Sequence, residues 1–228
     1  MSPILSRAGF SLGFGRRRNV GGGIILPAIG GALEGGFFAG TISHTADGVA
    51  THALIVAPAA TGASGTGYTI TTMLQWKTSG TTTAGTTSNF NGSANSANMN
   101  DADHPAAQFC EGLSIGGYTD WYLPARYELD IAYYNLKPDT TSNDTAFGTN
   151  PYSVPARGSN YTSGTPAQTT VTAFQTGNSE AFVNVHHWSS TEFSSSNAWR
   201  PTFDDGSQGS NVGKTAAIRV RAFRKVAL

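Results

Sequence analysis

The chain has 228 residues, enough for one domain with a buried core and a tail. Only 12% of them are charged, and 14 basic residues balance 14 acidic ones, so nothing marks an electrostatic footprint for nucleic acid or an anionic membrane. The single cysteine, Cys110, excludes an intrachain disulfide and a cysteine-rich zinc site. No run approaches the roughly 18–20 apolar residues of a membrane span. In place of charge the chain uses Ser, Thr, Asn and 28 glycines, which favour turns, loops and strands over long helices.

Residues 1–30 read as an extended amino-terminal arm ahead of a domain at 31–228. Glycines at 13, 15, 21, 22 and 23 break any periodicity, and Arg16, Arg17 and Arg18 form the only basic run. Apolar residues flank that run, among them Phe10, Phe14 and Ile24, which a solvated tail would not need. The arm, with Phe14, Arg16, Arg17 and Arg18 as its contacts, is therefore expected to order on a protein partner. The start of the chain shows no apolar core of secretion-leader length, so synthesis in the cytoplasm is expected, with any export following cell lysis.

Residues 36–43 and 51–58 read as two strands, with Asp47-Gly48 as the turn between them and Pro58 as the stop. Residues 59–100 read as a long polar loop pinned by Tyr68, Leu74, Trp76 and Phe90. A helix is expected from Asp103, its N-cap, through Pro105 in the first turn to about Leu113. Cys110 falls on that helix and reads as a buried, inert thiol.

The centre of the chain is Gly116–Asn135. A Gly-Gly turn leads into Trp121, Tyr122 and Leu123. Pro124 then opens a helix over about 125–136, in which Tyr127, Ile131 and Tyr134 recur at helical spacing. Glu128 falls in its first turn, where the macrodipole favours an anion. An aromatic ring of this size buries about 150–250 Å², on the order of 4–6 kcal/mol each before entropy, so this stretch builds core. Residues 139–180 read as loop. Three strands are expected after it, at 187–192, 197–203 and 217–226, with Asp205-Gly206 turning between the second and third. The alternation in the last strand slips at Phe223, as at a bulge or a sheet edge.

Three blocks carry a resemblance: Trp121-x-Leu123-Pro124-x-x-x-Glu128-Leu129, Trp188-Ser189-Ser190-Thr191-Glu192 and Val220-Arg221-Ala222-Phe223-Arg224. Together they resemble the phage and bacterial family of the Lcl C-terminal type, over about residues 36–226. The resemblance implies an α+β, C-type-lectin-like fold: two short helices on a small twisted antiparallel sheet, with long polar loops. It makes Trp121, Leu123, Pro124, Arg126, Glu128, Trp188, Ser189, Glu192 and Arg221 fold-defining. It also implies a virion component of tail or fibre type that assembles as a trimer. Its loops between the final strands would face a host receptor or glycan through Phe193, Trp199, Arg200, Asp204, Asp205 and Asn211. The same features fit a capsid or tail decoration protein that binds no receptor.

Chemistry finds little support. Ser189 and Ser190 lie beside His186, His187 and Glu192, but no Gly-x-Ser-x-Gly elbow accompanies them. They are expected instead to satisfy buried backbone groups near the helix after Pro124, with Trp188 packing with Trp121 and Arg126 pairing with Glu192. The adjacent His186 and His187 would point to opposite faces of a strand and cannot share a metal. Asp101, Asp103, Asp204 and Asp205 offer oxygens for calcium without EF-hand spacing. No enzyme activity, cofactor or metal is expected. The Asn-rich stretches 89–95 and 194–197 read as recognition surface or plain loop.

Overall fold

A computed structural model describes residues 24–228. The docking residues Phe14, Arg16, Arg17 and Arg18, and most of the expected arm, lie outside the described residues. Contact with the globule begins by Ile29, which packs on the core, and Gly30, whose amide donates to the Phe38 carbonyl at 2.8 Å.

Strand β1 (Ala32–Leu33) is short; β2 (Gly36–Ile42) and β3 (His52–Val56) follow as the sequence predicts. Between them Asp47 sits in a longer loop, accepting at one carboxylate oxygen from the Ser43 hydroxyl and the Val49 amide. A helical turn, α1 (Ala59–Gly62), and the two-residue strands β4 (Ala63–Ser64) and β5 (Leu74–Gln75) interrupt the expected loop. So does α2 (Gly92–Ala97), capped by the Asn91 side chain on the Ala94 amide.

Helix α3 (Pro105–Glu111) has His104 as its N-cap residue. The expected cap, Asp103, instead accepts from the Thr78 hydroxyl at 3.1 Å. Helix α4 (Arg126–Leu136) lies where periodicity puts it. Beyond it come β6 (Ser153–Val154), a 3-10 turn at Thr172–Phe174, β7 (Asn197–Pro201), β8 (Gln208–Gly213), β9 (Ala217–Ile218), β10 (Val220–Arg221) and β11 (Phe223–Ala227).

The main sheet is antiparallel, in the order β1-β2-β3-β11, with β6 paired to the far end of β2. Strand β3 is central and buried on both faces. Leu54 and Val56 join one apolar cluster with Leu129, Ala132 and Leu136 of α4; Ile55 and Ala57 join the other with Trp76, Trp121, Trp188 and Cys110. The period-two alternation of a strand divides the core this way. Trp121 and Trp188 share that second cluster, and each finds a carbonyl for its indole N–H, Tyr118 and Leu74 respectively.

Three smaller ribbons flank the sheet: β4 with β10, β5 with β9, and β7 with β8. The phase slip at Phe223 marks a change of partner. Residues 220–221 pair with β4 and residues 223–227 pair with β3, while the Ala222 amide reaches the Gly62 carbonyl at 2.8 Å.

Two expectations about strands fail. Residues 187–192 form isolated bridges only, because their amides donate to carbonyls on several separate segments, including Pro201, Arg219 and Pro124. Asp205-Gly206 turns into β8, a polar, glycine-bearing strand with no apolar alternation, rather than into residues 217–226.

Candidate recognition surface

The Trp188–Glu192 block is a brace for the start of α4. The Ser190 amide donates to the Pro124 carbonyl at 2.8 Å, and the Thr191 hydroxyl oxygen accepts from the Arg126 amide at 3.1 Å. Ser189 donates its hydroxyl to the Trp199 carbonyl, and Ser190 accepts from the Asn95 amide group. These hydroxyls therefore satisfy buried backbone and amide groups, as their sequence context implies.

The expected Arg126–Glu192 pair does not form. Glu192 lies 3.3 Å from the buried Lys214 ammonium and accepts from the Thr83 amide and the Thr86 hydroxyl. A lysine from the turn after β8 occupies the place assigned to the arginine. The 77–86 loop is held by the same group of bonds: Asp101 contacts His104 Nδ1 at 2.6 Å, and His104 Nε2 meets the Thr83 hydroxyl at 2.8 Å. That order of groups is the order of an acid–base relay. The Thr83 hydroxyl is buried and also takes a bond from Lys77 Nζ at 3.0 Å, which accounts for the arrangement as a loop fastening.

Glu128 closes the first turn of α4. Its carboxylate accepts from the Ala125 amide at 2.8 Å and the Tyr122 hydroxyl at 3.0 Å. Gly92 must be glycine here, because a Cβ would stand 2.3 Å from a Glu128 oxygen. Complete burial raises the carboxyl from 4.5 to about 7 against the opposing pull of these bonds and of Lys225.

The folded state thus holds this proton more tightly than the unfolded chain. The contribution of Glu128 to stability is fully present below pH 4.5 and falls as pH rises through about 7. His44 and His187 act in the opposite sense, because burial lowers them to about 4 and about 3. A comparison with Glu128→Gln isolates the carboxyl. The stability of the unaltered protein relative to the variant should drop by about 3 kcal/mol between pH 4.5 and 7.5 in urea titrations. A difference that stays flat with pH contradicts the account.

The six recognition residues proposed from sequence separate into three groups. Phe193, 52% exposed, meets the Trp199 ring edge-on at 5.1 Å between centres. The Arg126 guanidinium covers Trp199 at 3.8 Å and Tyr127 at 5.1 Å. Arg200 and Asn211 face each other across β7 and β8, with a 3.0 Å bond from the guanidinium to the amide oxygen. Asp204 and Asp205 lie in the turn joining the strands, where each carboxylate accepts from a backbone amide nearby. Gly206 in that turn has φ +75°, and a Cβ there would strike Tyr133 at 2.3 Å. The two aspartates shape the turn. Phe193, Trp199 and Arg126 form the platform.

A polar chain beneath α4 fixes the platform from below. Arg126 Nε donates to the Gln208 side-chain oxygen, Gln208 donates to Asp130 at 3.2 Å, and Arg157 donates to the other Asp130 oxygen. Asp130 is buried and also accepts from Asn150 at 2.7 Å and from the Tyr161 hydroxyl. Arg157 in turn covers Tyr134 at 4.5 Å. Composition does not reveal this chain, although Asp130 at a core-facing position of α4 is its one visible trace.

Of the Asn-rich stretches, 89–95 is only partly at the surface: Gly92 and Asn95 are buried, Ala94 is exposed, and Phe90 stacks on Tyr152 at 4.1 Å. Residues 194–197 remain at the surface beside Phe193. His187 is buried against the Tyr68 hydroxyl at 2.6 Å, while His186 meets Thr202 on the other side. Among the described residues no three His, Cys, Asp or Glu side chains come together as a metal site. Cys110 is free and buried, its thiol pushed well up by desolvation. No helix among the described residues is long and apolar enough to cross a membrane.

No curated protein matches the chain. The family model described as the Lcl C-terminal domain matches residues 65–224, which hold all three sequence blocks, from Trp121 through Trp188 to Arg224. The match begins after β2 and β3, although β3 is hydrogen-bonded to β11 and belongs to the same sheet. Over most of its length, then, the chain belongs to the Lcl C-terminal domain family.

Proposed function

We propose that this protein is a phage virion component, of tail or fibre type, whose C-type-lectin-like domain presents the β7–β8 hairpin to a host surface receptor or glycan. The observation that carries the reading is the platform of Phe193 and Trp199 seated on the Arg126 guanidinium. Rigid aromatic rings give contact area at little entropic cost, and a ring already held in place loses less freedom on binding. The lectin-like reading is supported by the pairing of β3 with β11, which joins the two ends of the domain with α3 and α4 between them. In this reading the amino-terminal segment, with Phe14 and Arg16–Arg18, docks on other virion proteins, and three copies assemble together. The domain acts by binding rather than by catalysis.

Purified protein should bind host cells in a manner that excess unlabelled protein competes. Trp199→Ala with Phe193→Ala should weaken that binding at least about tenfold, a loss of roughly 1.4 kcal/mol or more, with the melting temperature little changed. Unaltered binding by the double variant removes the platform from the reading. Failure of the protein to bind cells, together with particles that fall apart without it, would make it a decoration protein.

A further inference from the structure

The platform does not end at the hairpin. Tyr127 meets Tyr152 at 5.9 Å, and residues 153 and 154 just beyond Tyr152 line a cleft of about 270 Å³. Tyr134 and Arg157 form the wall between this cleft and a second of about 230 Å³, lined further by Ser159 and Asn160. Tyr127 and Tyr134 are two turns apart on α4, about 10 Å along its axis. Each cleft falls short of the roughly 300–1,000 Å³ that encloses a whole small molecule. Each therefore suits one unit of a ligand that continues past it.

The chemistry of the walls limits what that ligand is. Arg157 is the only ionic group on either lining. Its charge is met by Asp130, and its Nε donates to the Gly148 carbonyl at 3.1 Å. A charged ligand would find no unmatched partner. Ile131, Val154 and Pro155 line the first cleft beside Asn135 and Ser153, so a purely apolar peptide would bury those polar groups unmatched. Asn135 spends its amide N–H on the Ala39 carbonyl and keeps its oxygen; Asn160 accepts from the Thr149 hydroxyl and keeps its NH₂. Free acceptors and donors beside a half-exposed tyrosine ring fit a molecule with hydroxyls on its rim and C–H bonds on its faces.

We propose that a neutral, extended oligosaccharide lies along α4, from Phe193 and Trp199 past Tyr127 and Tyr152 into the two clefts either side of Tyr134. This rests on the recognition reading above and gives it a ligand class and a second contact region. The polar chain from Arg126 through Gln208 and Asp130 to Arg157 holds both ends of the track in one register.

The test is calorimetric titration of the full chain with neutral hexasaccharides of β-1,4-, α-1,4- and β-1,3-linked glucose and of β-1,4-linked N-acetylglucosamine, with a heparin hexasaccharide as the charged control. At least one neutral hexasaccharide should bind, and its disaccharide should bind at least about tenfold more weakly. Affinity should be insensitive to salt, since no counterions are released. Ser159→Trp fills the second cleft from an exposed position and should weaken binding at least about tenfold while leaving the melting temperature in place. Tyr134→Ala should weaken binding as much, with some loss of stability because the ring packs on the core and under Arg157.

Three results overturn the track: no neutral hexasaccharide binding, affinity unchanged in Ser159→Trp and Tyr134→Ala, or heparin alone binding with a salt-dependent affinity. If none binds and cells are still bound through Trp199, the track fails and the recognition reading stands. A neutral hexasaccharide held by the track, with no attachment to cells, has the reverse meaning.

Discussion

Asp130→Ala is expected to lower the unfolding free energy by about 3–5 kcal/mol, the cost of leaving a buried cation without its partner. Asp130 is fully buried, and the Arg157 side chain is only 14% exposed, so solvent cannot take over the lost charge. Asn150, Tyr161 and Gln208 lose an acceptor in the same step. Gln208 is also the bond partner of Arg126, so the seat of Trp199 loosens with that of Tyr134. Urea denaturation reads the stability. Arg157→Met added to Asp130→Ala should recover part of the loss, because it removes the stranded charge. A single variant that loses less than about 1 kcal/mol would mean that water already satisfies this network.

The second large effect is expected at Arg221. This guanidinium is completely buried in β10, donating to the Ala57 carbonyl at 2.8 Å, the Glu180 carbonyl at 3.0 Å and the Glu180 carboxylate at 2.9 Å. The same carboxylate oxygen accepts from the Ala59 amide, so one ion pair ties β10, the start of α1 and the 175–182 loop together. Arg221→Met should cost about 3–5 kcal/mol. Arg221→Lys should cost less but still measurably, since an ammonium cannot reproduce the fork that spans three acceptors. Converting Glu180 to Gln beside Arg221→Met should return part of the stability. If it returns none, the loss belongs to packing against Phe182, which the guanidinium covers at 4.9 Å.

What the sequence made legible follows from period and punctuation. Strand β3 showed itself because Ala53–Val56 is an apolar run closed by Pro58, and α4 because Tyr127, Ile131 and Tyr134 keep helical spacing behind Pro124. The turn at Gly206 was visible, but the strand it leads into was not. Gln208–Gly213 carries no apolar alternation, and its pairing with β7 supplies the order that its own residues lack. Helix α2 was hidden for a related reason: its polar residues read as loop, yet Asn95 and Ser96 are buried and bonded to Ser190 and Leu123.

The candidate surface was half legible. Phe193 and Trp199 stood out as aromatic residues among polar neighbours. The sequence reading pairs Arg126 with Glu192, and only the folded chain shows that Lys214 has that carboxylate and that Arg126 lies on Trp199. Residues 153–160 gave no periodic cue at all. Their role depends on α4 presenting Tyr134 toward them, which local composition does not encode.

The central position of β3 has a consequence for how the protein is made. Its partners on one side, Phe37–Ile42, leave the ribosome before it, but those on the other, Phe223–Ala227, follow only after every element from α1 to β10 has emerged. Contacts so distant in sequence close slowly and only after the intervening chain is available. Until then the apolar run Ala53–Val56 lacks its second neighbour, and a chaperone that shields exposed strands would find its substrate there.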